Sequence, residues 1–145
     1  RSELVALDVD DLDDDGEGLL VRIRRSKSDQ ERRGAILYVP TARELLDVCA
    51  VRAVRAWIGD LTGPVGPLFR SVRKGGTMGG RLSDRAVDLV VRRMSREVGG
   101  AVTFSAHSLR AGLVTTLAST GRTELEIMKQ SRHKSSAMVE RMRGP

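Results

Sequence analysis

Cysteine is nearly absent from this chain, and that sets a first limit. Cys49 is the only one in 145 residues. No internal disulfide can form, and a reducing, cytoplasmic setting is expected. Long apolar runs are also absent. No stretch approaches the roughly 20 residues that cross a bilayer, and no secretory leader is visible, so no membrane partner is expected. No cluster has metal-ligand spacing and no glycine loop is built to cradle phosphates, so neither a metal nor a cofactor is expected. Tyrosine is limited to Tyr38, in a stretch that reads as a strand, and histidine to His107 and His133.

What is present suits one soluble globular domain over 1–145: 40% hydrophobic and 30% charged residues, enough for a real core. Cys49 is expected in that core, on one helical face with Leu46, Ala53 and Trp57. The net charge of +6 hides an asymmetry. Residues 1–18 hold eight acidic side chains and one basic one, whereas 19–145 hold 24 Lys and Arg against 11 Asp and Glu. A body that basic points to a polyanionic partner, with nucleic acid the default.

The pattern predicts a mainly helical α+β fold with one small antiparallel sheet. Residues 1–7 read as the last turns of a helix, and 8–18 as a solvated acidic turn region. Residues 19–23 and 35–39 read as paired strands around a polar hairpin loop, the second ended by Pro40. Thr41-Ala42-Arg43-Glu44 reads as a capping box opening a helix to Gly59. Residues 68–70 read as a short strand, followed by the loop Arg73-Lys74-Gly75-Gly76. A helix is expected from Ser83 to Val98, with Val87, Val90, Val91, Met94 and Val98 as its apolar stripe and Arg85, Arg92 and Arg96 together elsewhere. Further helices are expected at 107–119, from a second capping box at Thr123 to Gln130, and from Ser135 onward.

Both histidines fall in basic clusters, Ala106-His107-Ser108-Leu109-Arg110 and Ser131-Arg132-His133-Lys134, separated by what reads as a helix-turn-helix. That spacing is suited to folding His107, Arg110 and His133 around one phosphate. An arginine fork matches phosphate oxygens, and histidine donates or shuttles a proton.

With these residues in place, the chain resembles the catalytic domain of tyrosine recombinases, the phage integrase family. Arg1-Ser2-Glu3-Leu4 resembles the family's helix end at its first catalytic arginine, a role that falls one residue before Arg1 and is not transferred to it. Lys27, in Arg25-Ser26-Lys27-Ser28, occupies the hairpin position of the catalytic lysine. His107-Ser108-Leu109-Arg110 matches His-x-x-Arg, residues 112–121 the helix that follows, and Ser131-Arg132-His133-Lys134-Ser135 the second histidine box. The resemblance covers nearly the whole chain. It implies DNA strand cleavage and rejoining through a 3′-phosphotyrosyl link, without metal or ATP. Lys27, His107, Arg110 and His133 would be the catalytic set, double-stranded DNA the partner, and a tetramer of recombinase subunits on DNA the working form. A cytoplasmic, nucleoid-associated protein is implied. Relative to the family, the chain reads as a single catalytic domain without its first helices, its amino-terminal core-binding domain and its C-terminal tail.

One departure is large. The family's nucleophilic tyrosine is expected nine residues after His133, and Met142 stands there. Replacement or deletion by engineering, natural inactivity, or omission of a modified tyrosine between Arg141 and Met142 would each account for it. Restoring a tyrosine before Met142 reproduces the family's wording, which favours a missing tyrosine. The alternative is a catalytically inactive DNA-binding protein on the same scaffold. Arg85 is expected at a guanine edge, and Arg92, Arg96 and Lys74 at phosphates.

Overall fold

The computed structural model describes residues 1–24, 34–61, 63, 65–99, 104–133 and 135–143, with 138 and 141–143 by backbone alone. The described residues pack as two compact units, 1–84 and 85–145. Among them, no helix is long and apolar enough to cross a membrane.

The first unit opens with α1 (Ser2–Val5), a 3-10 turn (Val9–Asp11) and β1 (Leu12–Asp14). β2 (Gly18–Ile23) and β3 (Ala35–Pro40) form the expected hairpin, with Leu19 opposite Val39 and Val21 opposite Leu37. β1 pairs with the other edge of β2, giving the order β1-β2-β3. Along β3, Leu37 and Val39 turn inward while Ile36 and Tyr38 face out, the period of two that a half-buried strand requires. Gly18 is demanded by this pairing: a Cβ there would meet the Val39 carbonyl oxygen at 2.5 Å and the Tyr38 ring at 2.8 Å. Leu19, Cys49 and Val51 form the core with Val21, Val39, Ala42 and Val54.

Three expectations for this unit are corrected. The capping box at Thr41 is not used: α2 spans Ala50–Asp60, after a 3-10 turn at Leu46–Val48. The reason is tertiary. Thr41 N–H donates to the Glu17 carbonyl (2.8 Å), Ala42 N–H to Cys49 Sγ (3.3 Å), and Arg43 pairs with Glu17. Cys49 is therefore a core residue as expected, but it precedes the helix, and Leu46 is exposed. The 8–18 segment is not simply solvated. Asp11, 3% exposed, takes a bond from Arg24 Nε at 2.5 Å, Asp8 pairs with Arg81 at 2.5 Å, and Arg55 grips both Asp14 oxygens at 2.6 and 2.7 Å. The strand placed at 68–70 lies at β4 (Arg70–Val72), paired with β5 (Met78–Arg81) in a second sheet. Leu68 is instead a buried anchor, donating N–H to Leu7 and accepting from Trp57 Nε1.

The second unit is helical: α3 (Asp84–Val98), α4 (Ala106–Ser119), α5 (Glu124–Ser131) and α6 (Ser136–Arg143). Val114 of α4, Ile127 of α5 and Val139 of α6 are each 0% exposed and form one cluster. α5 starts as its sequence dictates, Thr123 Oγ1 accepting from Glu126 N–H while Glu126 accepts from Thr123 N–H.

Candidate active site

The core triplet fixes which helix faces carry the polar residues. Arg110 lies one turn before Val114, Ser131 one turn after Ile127, and position 142 three residues after Val139. Spacings of three and four share a helix face. Arg110 and Ser131 thus stand on the faces their helices turn to the common core.

α4 is set at its first turn by two devices. Ser105 and Ser108 cap each other reciprocally, Ser105 Oγ accepting from Ser108 N–H at 3.3 Å and Ser108 Oγ from Ser105 N–H at 3.2 Å. Asp88 of α3 accepts from Ala106 N–H at 3.3 Å, placing a carboxylate against the positive end of the helix. His107 and Arg110 then follow at i and i+3, both exposed.

Arg110 reaches the end of α5. Its Nε and Nη2 donate to the Ser131 carbonyl at 3.0 and 2.6 Å, and Nη2 to the Arg132 carbonyl at 2.9 Å. The last carbonyls of a helix lack intrahelical partners and carry its negative dipole end, so a guanidinium is a suitable cap. Nη1 makes no hydrogen bond among the described residues. Arg132 closes α5 in the left-handed region (φ 57°), which lets Arg132 N–H and His133 N–H both return to the Met128 carbonyl.

This turn buries His133 to 6% exposure. Its Nδ1 lies 2.6 Å from Ser131 Oγ, and that hydroxyl lies 2.6 Å from the Ile127 carbonyl. Burial pushes the His133 pKa down, and the positive fields of Arg110 and then His107 push it further the same way. The three residues singled out from sequence therefore act on one another, all within the second unit.

The remaining candidates divide. Lys27 lies outside the described residues. Position 142 lies in α6, where only the backbone is described. Lys74 is exposed at the tip of the β4–β5 hairpin, in the first unit. Arg85 is exposed and has no partner among the described residues. Arg92 is paired with Asp88 at 2.7 Å, and Arg96 Nε donates to the Arg92 carbonyl at 3.3 Å. Sequence reasoning passed over Asp88, Ser105 and Ser131. Asp88 had a readable signal in its i, i+4 spacing to Arg92. Tyr38 faces out from β3 in the first unit, and desolvation, then Asp15 and Glu17, push its phenol pKa up.

The family model described as "Phage integrase family" matches residues 1–143. The chain belongs to the phage integrase family. It is 36% identical over 143 residues to the integrase/recombinase XerD homolog of Selenomonas ruminantium, a match covering 97% of this chain and 42% of that protein. The chain thus spans less than half the length of this relative. Its fold is similar to that in the crystal structure of XerA recombinase, with a TM-score of 0.75 at 20% identity over 99% of this chain and 46% of that one. The α+β architecture is therefore that of the phage integrase family. Arg110 and His133 thus meet at the end of α5, and His107 acts on His133 through its charge.

Proposed function

We propose that this chain is the catalytic domain of a site-specific DNA recombinase that cuts and rejoins double-stranded DNA through a 3′-phosphotyrosyl intermediate. The observation that carries this reading is the joint seating of Arg110 and His133 on the last turn of α5, with His107 one turn from Arg110, in a chain of the phage integrase family.

In this reading the tyrosine oxygen forms a bond to phosphorus while the bond to the 5′-oxygen breaks. Arg110 binds the non-bridging oxygens and stabilises the pentacoordinate phosphorane; loss of one such preorganised donor costs about 100- to 1,000-fold in rate. Lys27 gives the 5′-oxygen its proton. His107 orients the phosphate and takes the tyrosine proton. His133 donates a hydrogen bond to a phosphate oxygen from Nε2 as the imidazolium. A phosphate brought into the site favours that form by its charge. A second 5′-hydroxyl then reverses the step on a partner strand, and the covalent link conserves the bond energy. Arg85 reads a base edge, and Arg92, Arg96 and Lys74 meet phosphates. The full protein works as a tetramer on DNA, in the cytoplasm at the nucleoid.

Met142 supports a second reading, an inactive DNA-binding protein on this scaffold. A thioether has no proton to lose and forms no stable phosphoester. The chain as written therefore binds duplex DNA without cutting it. Peptide mass spectrometry across 138–145 establishes whether a tyrosine is present in the natural protein. A randomised library of nicked duplexes then tests the chemistry. Met142→Tyr, and equally a tyrosine inserted after Arg141, is expected to trap a covalent 3′-phosphotyrosyl adduct that the parent does not form. DNA binding without any adduct in both variants favours the inactive binder.

A further inference from the structure

Two of the proposed anion-binding side chains are held by one residue. The Ser131 carbonyl accepts Arg110 through Nε and Nη2, at 3.0 and 2.6 Å. The Ser131 hydroxyl, buried at the end of α5, lies 2.6 Å from both the Ile127 carbonyl and His133 Nδ1. A hydroxyl carries one proton and a carbonyl only accepts. Ser131 therefore donates to Ile127, the back-bond to i−4 that serines make at helix ends. What remains for His133 is a lone pair, so Nδ1 must carry the hydrogen. The partner of one ring nitrogen decides the state of the other.

We propose that Ser131 is a positioning residue: its hydroxyl fixes His133 as the Nδ1–H tautomer, so that Nε2 is the nitrogen offered to a bound phosphate, while its carbonyl seats Arg110. The role of that phosphate rests on the recombinase reading above; the tautomer does not. Partners of this kind hold rings in register behind a reacting group, and their loss commonly lowers activity about 10- to 100-fold.

Nitrogen-15 NMR on the whole chain, without DNA, reads the tautomer directly. Above the His133 pKa, the parent and Ser131→Thr are expected to show a protonated Nδ1 and a bare Nε2, and Ser131→Ala to lose that preference. Circular dichroism melting separates this from unfolding, and the parent spectrum decides the tautomer even if the alanine variant fails to fold. A parent with its proton on Nε2, or a folded Ser131→Ala that keeps Nδ1–H, overturns the proposal. Inorganic phosphate is expected to shift Nε2 more than Nδ1 in the parent; the reverse order also overturns it. In the Met142→Tyr background, Ser131→Ala is expected to slow adduct formation about 10- to 100-fold at unchanged DNA affinity, with Ser131→Thr restoring the rate. A full rate in the alanine variant refutes the positioning role. Failure of both Met142→Tyr and the chain with a tyrosine inserted after Arg141 to form any adduct refutes the recombinase reading instead, and leaves the tautomer result standing.

Discussion

His133 carries its protonation state as a local balance of burial against charge. Desolvation disfavours the imidazolium most, and Arg110 and His107 add to it, so the native pKa lies below the ordinary 6.5. The consequence for stability has a definite sign. Between the depressed native value and 6.5 the unfolded chain binds more protons at this position than the folded one. Stability therefore rises with pH through that window and levels off above it. The urea midpoint should climb as pH is raised toward 6.5 and level off above it, and His133→Gln should flatten that climb. An unchanged slope in the variant would show that His133 is not desolvated as described. Asp14, held at about 2 by Arg55, acts in a separate and lower window: its contribution is lost only as pH falls from 3.8 toward 2. Arg132 presents the other local cost. A non-glycine residue in the left-handed region gives up about 1–2 kcal/mol, and here that conformation is what turns the Ser131 and Arg132 carbonyls onto Arg110 and returns His133 to Ser131.

Asp88 joins two helices of the second unit, bonding the first amide of α4 while pairing with Arg92 on its own helix. Asp88→Ala removes a carboxylate from a helix N-terminus and should cost about 1 kcal/mol, read as a lowered thermal or urea midpoint. Asp88→Asn keeps an acceptor and should cost less. An alanine variant as stable as the parent would remove Asp88 from the account of how His107 and Arg110 are placed. Elements were legible from sequence where their signals are local. The Thr123 capping box and the β2–β3 hairpin are held by neighbours in the chain or by strict alternation. Thr41-Ala42-Arg43-Glu44 carries the same wording as a capping box, yet Glu17 and Cys49 claim its polar groups from a distance. β5 was invisible because Met78-Gly79-Gly80-Arg81 has little strand propensity; β4 creates it by pairing, with Arg70 Nε bonding the Gly79 carbonyl at 2.8 Å. In the site, His107 and Arg110 were readable as an i, i+3 pair. The Ser131–His133 clamp was not, because it depends on a left-handed turn at Arg132, a position where sequence ordinarily announces such a turn with glycine.

Charge is where the molecule as a whole departs from its sequence order. Read along the chain, an acidic leader precedes a basic body. Read by unit, residues 1–84 hold 14 Lys and Arg against 14 Asp and Glu, a net of zero, and 85–145 hold 11 against five, a net of +6. Four of the leader's eight acids pair with arginines of their own unit: Asp8 with Arg81, Asp11 with Arg24, Asp14 with Arg55 and Glu17 with Arg43. The whole surplus thus lies in the unit that carries His107, Arg110 and His133. Binding to a polyanion releases counterions, so affinity for duplex DNA should fall with salt, each lost phosphate contact lowering the log–log slope by about one. Arg96 has no carboxylate partner among the described residues, so Arg96→Ala should reduce the slope by about that amount on every sequence. Arg55→Ala removes a cation already neutralised by Asp14 and should leave the slope unchanged. Arg85→Ala should chiefly flatten the ranking of DNA sequences. Salt titrations of the three variants on two unrelated duplexes separate these outcomes, and equal slope losses for Arg55→Ala and Arg96→Ala would show that the surplus of the second unit does not direct the binding.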